Sequence, residues 1–168
     1  FGNKSIYLFS PDDVEKYRKE LNIKEHNDST IKEDFFEFLE ERDYSLSYKM
    51  PFLLAILKHI DSIGDAKIEE VLDDYIAFYQ DRLSRGLQVD RSTCPYDEKM
   101  LKDRKAVQRN MLTNPFEKFE RKRFLYYSKD LSVISMNHAL FGQMKEEDWE
   151  RVRRQMREDL RKYYDGMG

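Results

Sequence analysis

Apolar residues recur at helical spacing along most of the chain and give way to a β-branched and aromatic run only between about 124 and 136. Ser10-Pro11-Asp12-Asp13 supplies a cap, a first-turn proline and acidic residues, and Val14, Tyr17 and Leu21 follow on one face. This predicts a helix ending near Asn22. A second helix is expected after Ser29-Thr30, with Ile31, Phe35, Phe38 and Leu39 inward and Glu33, Asp34, Glu37, Glu40 and Glu41 outward. The stretch from Met50 to Ile60 is apolar on most faces, so it should be the central and most buried helix; Pro51 is tolerable in its first turn. Gly64 and Asp65 should then break and recap the chain. Ile68, Val71, Leu72, Tyr75, Ile76, Tyr79 and Leu83 give a long amphipathic helix ending at Arg85-Gly86, and the last two helices form a helix-turn-helix-like pair.

Residues 87 to 96 read as a loop broken by Pro95, and a charged helix should run from Asp97 to about Leu112 with Met100, Leu101, Val107 and Met111 inward. Asn114 is placed to cap a short basic helix and Pro115 to open it, leaving Phe116 and Phe119 on one face and Lys118, Arg121, Lys122 and Arg123 on the other. Phe124 to Tyr127 and Leu131 to Met136 should pair as a hairpin across Ser128-Lys129-Asp130. A last helix follows, with Asp148 and Trp149 in its first turns and Trp149, Val152, Met156, Leu160 and Tyr163 on one stripe. Basic helix, strand, polar turn, strand is the order in which a winged-helix module builds its groove-facing helix and its wing. The predicted fold is mainly α. A winged-helix-like centre (46–136) carries a small β-hairpin, an acidic helical extension (1–45) precedes it, and a C-terminal helix (137–168) packs on it. No internal repeat or low-complexity linker is present.

A chain of 168 residues that is 40% hydrophobic and 14% aromatic supports one well-packed domain, alone or with a small appendage. The net charge of -3 excludes a uniformly basic nucleic-acid glue. Its distribution is uneven: residues 1–81 carry 10 Lys and Arg against 19 Asp and Glu, residues 82–123 carry 12 against 6, and residues 124–168 carry 8 of each. One basic block beside an acidic half suits a surface that meets a polyanion; a solvated charged helix is the other reading. No apolar run nears the roughly 18 to 20 residues that span a bilayer, and the start lacks a signal-peptide plan, so a cytoplasmic protein without membrane contact is expected. Cys94 stands alone, and His26, His59 and His138 are scattered, which offers no metal-ligand spacing. The start without Met and the Gly166-Met-Gly168 end suggest a piece of a larger polypeptide, whose other domains would be partners.

Motifs for chemistry are missing. There is no phosphate-cradling Gly-x-x-x-x-Gly-Lys-[Ser/Thr] loop, no Gly-x-Gly-x-x-Gly and no Gly-x-Ser-x-Gly. Pro11-Asp12 runs into helix rather than the strand a metal-dependent nuclease would use, and the remaining carboxylates fall on solvent faces or helix starts. The expectation is therefore no catalytic residue, no cofactor and no metal. Cys94 reads as a loop cysteine, and His138 as a residue that caps or packs the segment around Leu140 and Phe141. Tyr126 and Tyr127, and Tyr163 and Tyr164, could stack bases or pack the core. The cations Arg151, Arg153, Arg154, Arg157, Arg161 and Lys162 alternate with Glu150, Glu158 and Asp159, as expected of i to i+4 pairing.

The segment from Ser45 to Leu57, followed by Gly64-Asp65 and then Tyr75 to Leu87, resembles a region of large prokaryotic superfamily II (DEAD/DEAH-type) helicase or restriction-type proteins that lies beyond the ATP-driven motor. Asn114-Pro-Phe-Glu-Lys-Phe-Glu-Arg-Lys-Arg-Phe-Leu125 shares the likeness, which covers about residues 30 to 165. The Tyr-Lys-x-x-x-Leu-Leu-x-x-Leu opening at Tyr48 is also similar to winged-helix parts of some modification-dependent endonucleases. The resemblance implies a place in DNA repair, restriction or phage defence, with any ATPase motifs elsewhere in the parent chain, and it assigns no catalytic residue. The expected role is non-catalytic DNA binding or positioning. Arg104, Lys105, Arg109, Lys118, Arg121, Lys122, Arg123 and the hairpin-tip Lys129 would meet phosphates. The alternative is a protein-interaction scaffold in which the acidic helices or the last helix dock another domain.

Overall fold

A computed structural model describes residues 28–167. The helix predicted near residues 10–22 lies outside the described residues. Helix α1 occupies 28–40, and Ile31, Phe35, Phe36, Phe38 and Leu39 bury against the body while Glu33, Asp34, Glu37 and Glu40 stay exposed. It is followed by α2 (Lys49–His59), whose Met50, Phe52, Leu53 and Ile56 are fully buried, as an element apolar on most faces must be. Helix α3 (Ile68–Ser84) packs on α2 with Ile68, Val71, Leu72, Tyr75, Ile76 and Tyr79 inward and ends at Gly86, which takes φ +70°.

Between α2 and α3 the chain forms a strand, β1 (Asp65–Lys67), where the sequence suggested only a break and a helix cap. Three residues with one inward side chain, Ala66, carry too little periodicity to announce a strand. Pairing with β3 creates it. Gly64 precedes it at φ +92°, and a Cβ there would lie 3.2 Å from the Phe141 ring, so glycine suits both the turn and the packing. Asp65 caps no helix; it accepts a hydrogen bond from Ser135 Oγ at 2.6 Å.

The charged helix expected from Asp97 to Leu112 is two helices, α4 (Glu98–Lys102) and α5 (Arg104–Thr113), because Asp97 and Asp103 each cap one of them. Their carboxylates accept from the amides of Met100 at 2.8 Å and Ala106 at 3.2 Å. The basic helix α6 (Phe116–Arg121) follows directly. Asn114 does not cap it: Asn114 closes the C-terminus of α5, the Asn114–Pro115 peptide is cis, and Pro115 holds the cap position.

The expected hairpin is formed by β2 (Leu125–Ser128) and β3 (Val133–Met136), with Leu125 opposite Met136 and Ser128 opposite Val133. β1 adds to the free edge of β3, so the sheet has three antiparallel strands in the order β1-β3-β2. From α2 to β3 the chain runs helix, strand, four helices, strand, wing turn, strand, a winged-helix-like arrangement within a mainly helical chain. A short helix, α7 (His138–Gln143), then leads to α8 (Glu146–Gly166), which packs along α2 through Trp149, Val152, Met156 and Tyr163. Asn137 caps α7, its Oδ1 accepting from the amides of Ala139 and Leu140, whereas His138 is exposed and caps nothing.

One contiguous core joins these elements. At the α1–α6 contact the Phe38 and Phe119 rings meet edge-on at 5.2 Å, Phe35 meets Phe124 at 5.1 Å, and Phe52 meets Phe119 at 5.7 Å. Burying a phenylalanine of this kind contributes about 1.5–3 kcal/mol. That anchorage fixes where the basic residues between these phenylalanines point. Among the described residues, no helix is long and apolar enough to cross a membrane.

Candidate nucleic-acid interface

Burial of Val107 and Met111 orients α5 so that Lys105 and Arg109 share its exposed face. Arg104 turns the other way. Its guanidinium reaches Glu69 Oε2 and Asp73 Oδ1, each at 2.8 Å, and the Glu69 carbonyl at 2.6 Å, which straps α5 to the start of α3. Its fork is filled by its own protein.

Helix α6 works the same way on a smaller scale. Phe116 and Phe119 bury, so Lys118 is left half-buried at the rim and Arg121, Lys122 and Arg123 are exposed. Arg121 pairs loosely with Glu117 at 3.4 Å. Arg123 takes φ +65° and closes the helix: its amide donates to the Glu120 carbonyl and the Phe124 amide to the Phe119 carbonyl, both at 2.9 Å. This is a Schellman cap with arginine where glycine is usual. Asn137 Nδ2 donates to the Arg123 carbonyl at 3.0 Å, which holds this corner to the end of β3. Lys129 lies in the exposed turn of the wing beside Leu131, which is 73% exposed. Lys129 is six residue steps beyond Arg123, roughly 20 Å if extended. The basic positions therefore form a patch on α5, a cluster on α6 and an isolated cation at the wing tip.

Two grooves flank the α6 cluster. The first, of about 460 Å³, lies between the 41–48 segment and α6, with Lys49, Lys118, Arg121 and Lys122 on its lining together with Glu41 and Asp43. Sequence reasoning missed Lys49, which stands in the apolar opening of α2 and joins the site only because the 41–48 segment folds back over it. Burial brings its ammonium down to about 8, with Glu41 acting against that shift and Lys118 adding to it. The second groove, of about 420 Å³, sets Asp34, Glu37 and Glu41 opposite Arg121, Lys122 and Arg123. Among the described residues no ion pair closes across it. The acidic face of α1 thus shares a wall with the cluster it opposes.

A second polar site is wholly internal. Asp90, in the loop after α3, accepts from the Ser47 amide at 2.9 Å, from Ser47 Oγ, from the Arg91 amide at 2.7 Å and from the Tyr163 hydroxyl. Ser47 Oγ meets the Tyr79 hydroxyl at 2.7 Å and lies 3.1 Å from the Tyr164 hydroxyl, whose proton is donated to the Val89 carbonyl at 2.6 Å. Burial pushes the hydroxyls of Tyr79 and Tyr164 well above their ordinary range. Tyr163 is buried and Tyr164 half-buried, and both are engaged within the protein, with Arg91 and Arg82 over their rings at 4.9 and 3.5 Å. Of the hairpin pair, Tyr127 packs edge-on to Phe116 at 6.3 Å and Tyr126 faces out. The sequence carries no signal for Asp90, one acidic residue in a polar loop. The abundance of tyrosine was the only hint.

Cys94 is half-buried and accepts from the Tyr48 hydroxyl at 3.3 Å. Among the described residues no group of His, Cys, Asp and Glu is arranged to hold a metal. On α8, Lys162 pairs with Glu158 at 3.2 Å, four residues apart as expected, and Arg161 pairs with Asp165 at 3.3 Å, whereas Asp159 is buried and takes Arg42 at 3.0 Å and the Tyr44 hydroxyl at 2.8 Å instead of a cation of its own helix. Comparison of the chain with family models, with curated proteins and with solved structures finds no match.

Proposed function

We propose that this chain is a non-catalytic DNA-binding or positioning module of a larger helicase- or restriction-type protein. The observation that carries the reading is the set of outward cations on consecutive elements of a winged-helix-like frame. Lys105 and Arg109 lie on α5, Lys118, Arg121, Lys122 and Arg123 on and after α6, and Lys129 on the wing. Their side chains are oriented by the burial of the apolar residues between them. Arg104 leaves the proposed set because its donors are taken by Glu69 and Asp73. The acidic wall of α1 repels a phosphate backbone and steers it toward α5 and the wing. The resemblance of the 45–87 and 114–125 segments to regions beyond helicase motors agrees with a service to other domains.

The test is fluorescence anisotropy with duplex and single-stranded DNA over a range of salt. Each phosphate neutralised contributes a log-log slope of roughly -0.9 on duplex DNA. Replacing Arg121, Lys122 and Arg123 together by Glu should flatten the slope by about 2 to 3 and weaken binding to all sequences alike, because phosphate contacts position and do not read bases. A folded triple variant that binds as the parent does, or a parent that binds no DNA at low salt, would leave the exposed acidic face of α1 as the feature to explain and favour a protein-docking module.

A further inference from the structure

The groove between the 41–48 segment and α6 brings together more positive than negative side chains, Lys49, Lys118, Arg121 and Lys122 against Glu41 and Asp43. Lys49 Nζ donates to the Phe38 carbonyl at 3.2 Å and lies 3.8 Å from the centre of the Phe38 ring and 5.7 Å from that of Tyr44. Lys118 and Lys122 enter from the opposite side, and Asn114 offers a side-chain amide from the α5–α6 junction. Among the described residues none of these three lysines has a carboxylate within ion-pair distance, although Glu41 and Asp43 stand on the same rim. The Lys49 ammonium is half-buried beside Lys118 and its hydrogen bond goes to a backbone carbonyl, so burial costs its charged form. An anion entering the groove reverses the sign of that cost.

The shape of the site narrows the anion. A phosphodiester backbone is met by charges spread along an open surface, as on α5 and the wing. Here the donors converge on one concavity of about 460 Å³. A phosphate monoester suits such a convergence, carrying about one and a half to two negative charges near neutral pH and three strong acceptor oxygens. On a DNA-binding surface that group is found at the end of a strand. We propose that the groove binds the terminal phosphate monoester of a nucleic-acid strand, held by Lys49, Lys118 and Lys122. The identity of the strand rests on the DNA-binding reading above; the anion site does not.

The intact chain is titrated with single-stranded oligonucleotides that carry the same internal fluorophore and differ only in a 5′-phosphate, a 3′-phosphate or hydroxyl ends. One of the two phosphorylated forms should bind about tenfold tighter than the hydroxyl form, the effect of one or two charged hydrogen bonds. Lys49→Gln should remove that gain; should it not fold, as judged by circular dichroism, Lys118→Gln takes its place. In parallel, inorganic phosphate is added while the Lys49 side-chain amine is followed by NMR, and a saturable shift with a rise in its titration point is expected. Equal binding of all three oligonucleotides with no response of Lys49 to phosphate overturns the end-binding site and leaves the DNA-binding reading standing. A saturable response to phosphate in a chain that binds no DNA overturns the DNA-binding reading and keeps the anion site.

Discussion

Replacing Asp90 by Ala tests whether the internal tyrosine site holds the interface in shape. Asp90 is 5% exposed and its carboxylate accepts from the Ser47 amide, Ser47 Oγ, the Arg91 amide and Tyr163. The Ser47 hydroxyl can turn to Tyr79, and the Arg91 amide is near the surface, so two donors bear most of the loss: the wholly buried Ser47 amide and the Tyr163 hydroxyl. A buried donor left unsatisfied costs about 1–3 kcal/mol, and part of it is offset by relief from burying a carboxylate. The expected loss is about 2–4 kcal/mol, a large share of a stability that for a domain of this size is roughly 5–15 kcal/mol. Asp90→Asn keeps the shape but turns an amide donor toward other donors, so it should recover only part of the loss. Urea unfolding reads this as a lower midpoint at unchanged slope. Ser47 immediately precedes Tyr48 and Lys49, so the same variant should also loosen the floor of the first groove. A loss below about 0.5 kcal/mol for Asp90→Ala would refute the assignment of Asp90 as the tie between α2, the 87–96 loop and α8.

Arg104→Ala should lower stability by about 1 kcal/mol, since the strap to Glu69 and Asp73 is partly exposed, and should leave the salt dependence of DNA binding unchanged; a slope reduced as much as by Lys105→Ala would place Arg104 back in the interface. Arg123→Gly should stabilise the chain by up to about 1 kcal/mol by placing glycine at φ +65°, yet weaken DNA binding, and a variant with lower thermal stability would contradict the Schellman assignment. Lys49 titrates near 8 in the folded chain against about 10.4 when unfolded. The unfolded chain therefore holds more protons between those values, so this residue makes stability rise with pH there and adds no slope below about 8. Comparing the pH profile of Lys49→Met with the parent checks this, and parallel curves between pH 8 and 10 would show that the lysine is not perturbed.

How far the sequence could be read depended on where the signal for each element lies. α2 and α8 are written in their own residues: one is apolar on most faces, and the other carries Trp149, Val152, Met156 and Tyr163 at helical spacing. The hairpin likewise follows from a local run of strand-forming residues. β1 does not, because its partners Val133, Ile134 and Ser135 lie about seventy residues away and its own three side chains say nothing. The break at Asp103 was overlooked for a different reason. An aspartate inside a charged helical stretch reads as one more exposed residue until its carboxylate is seen to cap the next amides.

The candidate interface shows the same division between what a residue is and what it meets. The basic block of 82–123 looked like one surface, but folding spends much of it internally. Arg82 lies over the Tyr164 ring, Arg91 over Tyr163, Arg104 is held by Glu69 and Asp73, and Lys102 and Arg85 pair with Glu98 and Asp81. Of the exposed cations in this block that have no ion pair or ring contact among the described residues, Lys105 and Arg109 lie on α5, Lys122 and Arg123 at the end of α6, and Lys99 on α4. Lys49, which the charge count assigned to the acidic half, crosses into this cluster through the fold-back of the 41–48 segment. Sequence position therefore overstated the size of the basic surface and left Lys49 out of it. On the two proposals, an open track of cations and the groove would respond differently to charge reversal: the first would lose affinity for every DNA in proportion to phosphates lost, the second only for strands whose end it holds.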